Sequence, residues 1–179
     1  FGQFKNNGDY IESDLFFEEK LKLSVGMSYS FNNRTSRVAG QLGEYLYNKQ
    51  LADIHYYGVD FAMKRKGWSM TGELYRRTSK NGISINPNDP TKANFVYSGT
   101  GFLLQSGYLY NPKNEFSLRY GLTSPDQSIT AYVSRLNEYM VGYSHYFFRH
   151  NLKLQTDAAY FAGPSQEFLQ WRFTGVVTF

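Results

Sequence analysis

The sequence predicts an all-β protein: a transmembrane, antiparallel, up-and-down β-barrel of the bacterial outer membrane. Three observations predict it. Apolar and polar residues alternate in run after run, the period of a sheet with one apolar face. The runs are long. Lys20 to Phe31, KLKLSVGMSYSF, alternates strictly over its length, where a soluble strand averages about 5–6 residues and a tilted membrane-crossing strand needs about 9–11. Finally, tight turns and long loops alternate between the runs, as the two ends of such a barrel require.

The elements follow in order. Tyr10 to Phe17, YIESDLFF, reads as a short first strand. In the run from Lys20, Leu21, Leu23, Val25, Met27, Tyr29 and Phe31 oppose Lys22, Ser24, Gly26, Ser28 and Ser30. His55 to Lys64 sets Tyr57, Val59, Phe61 and Met63 against Tyr56, Gly58, Asp60, Ala62 and Lys64. Trp68 to Arg77 sets Trp68, Met70 and Leu74 against Ser69, Thr71, Glu73, Tyr75 and Arg77. Thr100 to Tyr110, the weakest alternation, sets Phe102, Leu104, Tyr108 and Tyr110 against Leu103, Gln105, Gly107 and Leu109. Glu115 to Thr123 sets Phe116, Leu118, Tyr120 and Leu122 against Glu115, Ser117, Arg119 and Gly121. Asn137 to Phe147 sets Tyr139, Val141, Tyr143 and Phe147 against Glu138, Met140, Gly142, Ser144 and Tyr146. Leu152 to Phe161 sets Leu152, Leu154, Ala158 and Tyr160 against Lys153, Gln155, Asp157 and Ala159. The closing strand runs from about Phe168 to Phe179, with Trp171, Phe173, Gly175, Val177 and Phe179 on its apolar face and Arg172 and Thr174 on the other.

Tight turns fall at 64–67, 111–114 and 149–151. Long connections fall at about 32–54, 79–98 and 124–136. The stretch Asn81 to Asn94, NGISINPNDPTKAN, is dense in turn residues and reads as an irregular, mobile loop. Its Asp and Asn residues lack the spacing of a calcium-binding loop.

Composition agrees. Aromatics make up 18%, with 16 Tyr and 15 Phe, and charged residues 19%. Flat rings suit a pleated, half-buried surface. No run approaches the roughly 20 apolar residues of a membrane-crossing helix. The net charge of +4 is scattered along the chain, so no nucleic-acid partner is implied. There is no cysteine, which excludes disulfides and thiolate metal sites. At 179 residues, the chain is expected to form one domain, 1–179.

Alternation alone leaves open which face is outside; a soluble barrel has its apolar face inward. Long strands, aromatics gathered toward strand ends, and charges in mid-strand all favour lipid outside and water inside. A charge in a narrow dry core is costly, whereas a wet lumen tolerates it. The expected lumen-lining residues are Lys22, Asp60, Lys64, Glu73, Arg77, Glu115, Arg119, Glu138, Lys153, Asp157 and Arg172. The expected lipid-facing and interface aromatics are Tyr29, Phe31, Trp68, Tyr108, Tyr120, Trp171, Phe173 and Phe179. The lumen charges nearly balance in sign, even with Glu12 and Asp14 added, whereas anion selectivity needs a net positive lumen. Eight strands follow from Lys20 and Tyr10 to Phe17 makes a ninth. Bacterial single-chain barrels are even-numbered, so the count implies upstream sequence.

The chain resembles the phosphate-selective porin O and P family in its Bacteroidota version. The resemblance is carried, in order, by Phe1-Gly2, Gly8-Asp9-Tyr10 and Asp14-Leu15; by Lys22-Leu23-Ser24-Val25-Gly26 and Gly40-Gln41-Leu42-Gly43; by Lys66-Gly67-Trp68-Ser69 leading to Gly72-Glu73-Leu74-Tyr75-Arg76-Arg77; by Gln105-Ser106-Gly107-Tyr108 and Ser117-Leu118-Arg119-Tyr120; and by Glu138 to Tyr143, His150 to Gln155 and the terminal Phe179. It implies a barrel of about 16 to 18 strands, wide enough for an aqueous channel, with this chain as its C-terminal part of 8–9 strands. It also implies passive diffusion of small solutes or ions. Phe179 resembles the terminal aromatic read by the barrel-assembly machinery. Expected partners are membrane lipids and lipopolysaccharide, that machinery, and a homotrimer or larger outer-membrane complex.

Other chemistry has little support. His55, His145 and His150 lack partners at metal-ligand spacing, and no nucleophile motif is present. No enzyme activity, metal or cofactor is expected. Asn33-Arg34-Thr35 matches a glycosylation triplet in a bacterial context. Two other readings stand beside the channel: a non-conducting barrel serving a larger outer-membrane complex, and a soluble barrel that binds a ligand.

Overall fold

In a computed structural model, residues 13–178 are described. Phe179 and the start of the expected first strand, Tyr10 to Glu12, lie outside them. The fold is one antiparallel sheet of eight long strands with two short hairpins beside it. In chain order the elements are β1 (Lys22–Thr35), β2 (Arg37–Ala39), β3 (Leu42–Tyr45), β4 (Ala52–Arg65), β5 (Trp68–Lys80), β6 (Ile83–Asn86), β7 (Asp89–Phe95), β8 (Gly99–Asn111), β9 (Asn114–Pro125), β10 (Leu136–Phe148), β11 (Leu152–Gly163) and β12 (Gln166–Val177). The large sheet runs β1-β4-β5-β8-β9-β10-β11-β12, each strand beside its neighbour in the meander. Its edges are β1 and β12.

The expected alternation of side chains shows in the burial of the inner strands, most clearly in β9 and β10. In β10, Met140, Gly142, Ser144 and Tyr146 are buried, while Tyr139, Val141 and Phe147 are exposed. In β9, Glu115 is buried and its neighbours Phe116 and Leu118 are exposed. This is one pleated sheet with one covered face and one bare face. The registers join residues of the same face, as in Val141 opposite Leu118 and Val59 opposite Leu74.

Three long-strand connections are tight: 65–68, 111–114 and 148–152. All lie at one end, here called the turn end. The opposite, loop end carries the hairpins and a 3-10 turn at Gln127–Ile129. One loop-end connection, between Gly163 and Gln166, is also short.

Three expectations need correction. Residues 13–17, expected to continue a strand from Tyr10, form a turn, for reasons given below. The stretch 81–94, expected to be irregular, contains the β6–β7 hairpin, in which Ile83 faces Phe95 and Ile85 faces Ala93. Asn86 closes its turn by accepting the Asn88 N–H on its side-chain oxygen, the local bonding that turn-forming Asn offers. Trp171 and Phe173, read as strand-end aromatics, sit midway along β12.

The loop-end hairpins fold onto the covered face. Leu46, Ala52, Ile54 and Val96 form an apolar cluster with Val38 against it. Tyr47 N–H donates to Ser84 Oγ at 3.0 Å, and Asn94 Nδ2 donates to the Tyr45 carbonyl at 2.8 Å. The hairpins are thus tied to each other and lean over the covered face.

Candidate functional site: the polar face

The covered face is polar and the bare face is apolar. Lys64, Ser69, Glu115, Ser144 and Asp157 are all 6% exposed or less. On the other face Met27 is 84% exposed, Val25 and Leu118 63%, and Trp171 77%. A water-soluble fold arranges these two classes the other way round.

All eleven expected lumen residues lie on the polar face, and the geometry sorts them. Arg119 bonds Gln105 Oε1 through Nε at 2.8 Å and lies 3.9 Å from Glu138. Arg172 pairs with Asp157 at 2.7 Å and reaches Met140 Sδ at 3.4 Å, past the intervening strand. Half of the wall therefore carries charges that are already paired. On β4 and β5 the register sets Asp60 directly opposite Glu73. Among the described residues neither has a cation at ion-pair distance. Like charges placed opposite each other are tolerated where water solvates both. Arg77 lies over the Tyr56 ring, 5.9 Å from its centroid.

The turn end of this face holds a cluster that sequence reasoning missed. Ser13 Oγ donates to Glu115 Oε2 at 2.6 Å, and the Tyr146 hydroxyl donates to the same oxygen. Lys64 Nζ donates to the Ser13 carbonyl at 3.1 Å. Asp14, 1% exposed, accepts the Gly67 N–H at 2.8 Å and the Glu18 N–H at 3.1 Å. Burial pushes its carboxyl above the usual range, while those two amides pull it back. Lys22 pairs with Glu18 at 2.6 Å. Gly67 has φ +83°, and a Cβ there would lie 2.8 Å from the Leu109 carbonyl and 2.9 Å from the Phe17 ring. A side chain at position 67 would therefore collide with the covering segment. The signal that was present is Tyr146 and Leu109, aromatic and aliphatic residues on a polar face. Both are covered, at 2% and 0% exposure.

His150, in the β10–β11 turn, packs edge-on against Tyr146 with ring centroids 5.6 Å apart. Burial, and then the charges of Lys153 and Lys64, push its pKa down to about 4. A free histidine titrates near 6.5. As pH falls from about 6.5 towards 4, the unfolded chain takes up this proton before the folded one, so stability falls across that window and is flat above it. We expect the urea midpoint to drop between pH 7 and pH 5, and the drop to shrink in His150→Gln. An equal drop in both proteins would assign the pH dependence elsewhere. Lys153 lies over the Tyr146 ring at 5.9 Å.

The bare face carries the expected aromatics. Tyr29, Phe31, Trp68, Tyr108, Trp171 and Phe173 are exposed. Trp68 packs on Tyr108 at 4.6 Å near the turn end, and Phe31 stacks on His55 at 4.5 Å near the loop end. Tyr120 is half-buried between Phe102 and Tyr139 and donates to Asn137 Oδ1 at 3.1 Å. Trp171 has its one donor satisfied, giving Nε1–H to Thr156 Oγ1 at 2.6 Å. Phe179 lies outside the described residues. Among the described residues no cluster of His, Asp or Glu is poised to hold a metal.

No family model, curated protein or solved structure matches this chain.

Proposed function

We propose that the chain is part of an outer-membrane porin, a water-filled channel for passive diffusion of small solutes or ions. One observation carries the reading: the eight-stranded sheet is apolar and bare on one face, polar and covered on the other. In water, such a continuous apolar surface is a liability far beyond an ordinary patch. In a bilayer it is the outward band of a barrel whose interior is polar. In this reading the lipids and lipopolysaccharide meet Met27, Val25, Leu118 and Trp171, and the channel water meets Asp60, Glu73 and Arg119. The β1 and β12 edges need partners, because an unpaired edge in hydrocarbon leaves backbone groups unsatisfied. Further strands, 16–18 in all, close the barrel. The resemblance to the porin O and P family and the part given to Phe179 in barrel assembly belong to the same proposal.

Paired charges along β9–β12, with the Asp60 and Glu73 carboxylates facing each other without a cation at ion-pair distance among the described residues, give no net positive wall, so we propose general diffusion without phosphate selectivity. Planar-bilayer recording of the full-length protein tests the channel. Stepwise ohmic currents support it; silence at all voltages from a folded barrel would end it. The second reading, a non-conducting barrel within a larger complex, has one observation in its favour, the hairpins folded onto the polar face. A silent barrel that purifies in a stoichiometric complex would support that reading.

A further inference from the structure

We propose that the segment Ser13–Glu18 sets the size limit of the channel at its turn-end mouth. The proposal rests on the porin reading above. The segment is a strap laid across the polar face. At one end, the Glu18 carbonyl accepts the Lys66 N–H from the β4–β5 turn at 2.8 Å. At the other, Ser13 is held by Glu115 of β9 and Tyr146 of β10. Between them Asp14 grips Gly67, and the Arg149 guanidinium of the β10–β11 turn lies over the Phe16 ring, 5.4 Å from its centroid. The segment itself is compact: the Phe17 N–H closes a turn on the Asp14 carbonyl at 3.0 Å, and the side chains of Lys64, Glu115 and Tyr146 reach to Ser13 from β4, β9 and β10. Its anchors are buried, with Ser13 at 3% and Asp14 at 1%, while Phe16 stays 54% exposed.

A turn held against the polar face from β4, β9 and β10 takes up space in the mouth of any channel these strands enclose. Its bonding also accounts for buried groups that a plain lumen wall would leave wet. Glu115, Tyr146 and Leu109 are covered because the strap and its turn cover them. Solute size is therefore decided here by backbone and by Leu15 and Phe16.

The test uses a thiol as a probe, since the 179 residues contain no cysteine. Phe16→Cys leaves every polar anchor in place. Full-length protein carrying it is recorded in planar bilayers before and after reaction with a bulky cationic methanethiosulfonate, with modification verified by mass. Met27→Cys on the bare face is the control. The expected result is a stepwise loss of single-channel conductance at Phe16→Cys and none at Met27→Cys. Unchanged conductance at a fully modified Phe16→Cys overturns the strap while leaving the channel standing. Silence from the unmodified protein overturns the channel itself, and the strap with it. A second measurement uses Ser13→Ala/Asp14→Ala, which frees the strap. Liposome-swelling rates for larger sugars should rise relative to small ones; an unchanged ratio in a folded variant also overturns the proposal.

Discussion

In the porin reading, Leu118→Arg is expected to destabilise the protein in a bilayer by about 2–4 kcal/mol, the cost of a cation on the lipid face of a barrel near the bilayer midplane. Leu118 lies well inside β9, is 63% exposed, and faces Val141 of β10 across the bare face. The same substitution discriminates sharply between solvents. If water covered this face, replacing an exposed leucine would change stability by no more than about 0.5 kcal/mol. The partner variant is Ser28→Arg, on the polar face of β1, whose side chain is exposed. An arginine there enters water in the porin reading and should be nearly neutral. Denaturant titration in lipid vesicles checks both. Equal effects at the two sites would mean that the two faces meet the same solvent.

The second large effect is at Asp14. Among the described residues its carboxylate is the acceptor of the Gly67 N–H, and it takes the Glu18 N–H as well. Asp14→Ala leaves both donors without that oxygen, at about 1–3 kcal/mol for each buried amide. The burial of Asp14 already disfavours its charge, so part of this loss is offset by relief from desolvation. We expect a net loss of about 2–4 kcal/mol from the strap's local stability. Hydrogen exchange reads it directly. The Gly67 amide should lose protection in Asp14→Ala and keep most of it in Asp14→Asn, which retains an oxygen acceptor. A fully protected Gly67 amide in Asp14→Ala would show that the carboxylate does not hold the strap.

Most of the large sheet is legible in the sequence because a sheet with one polar and one apolar face has only two environments. In β10, Glu138, Gly142 and Ser144 declare the polar face by type and Tyr139, Val141, Tyr143 and Phe147 the apolar one, and the covered and bare positions follow that order. The misses share a cause. Tyr10 to Phe17 has strand-like composition, but Asp14 spends its carboxylate on the amides of Glu18 and Gly67. Side-chain bonding of this kind competes with a ladder, and Gly67 is far away in sequence. The β6–β7 hairpin hides behind Pro87, Asn88 and Asp89, which mark the turn but conceal the pairing on either side of it. The strap cluster was signalled only by Tyr146 and Leu109 on the wrong face. What covers them comes from another part of the chain, which alternation cannot report.

The central claim is that lipid meets the bare face and water the polar one. Trp171 and Trp68 are both on the bare face, exposed by 77% and 51%, one in mid-strand and one beside a turn. Each, kept as the sole tryptophan of the full-length protein in vesicles, reports its depth through quenching by lipids brominated at chosen acyl positions. The account predicts strongest quenching of Trp171 by bromines deep in the chains and of Trp68 by bromines near the headgroups. Quenching of both by aqueous acrylamide, with none by any brominated lipid, would contradict it.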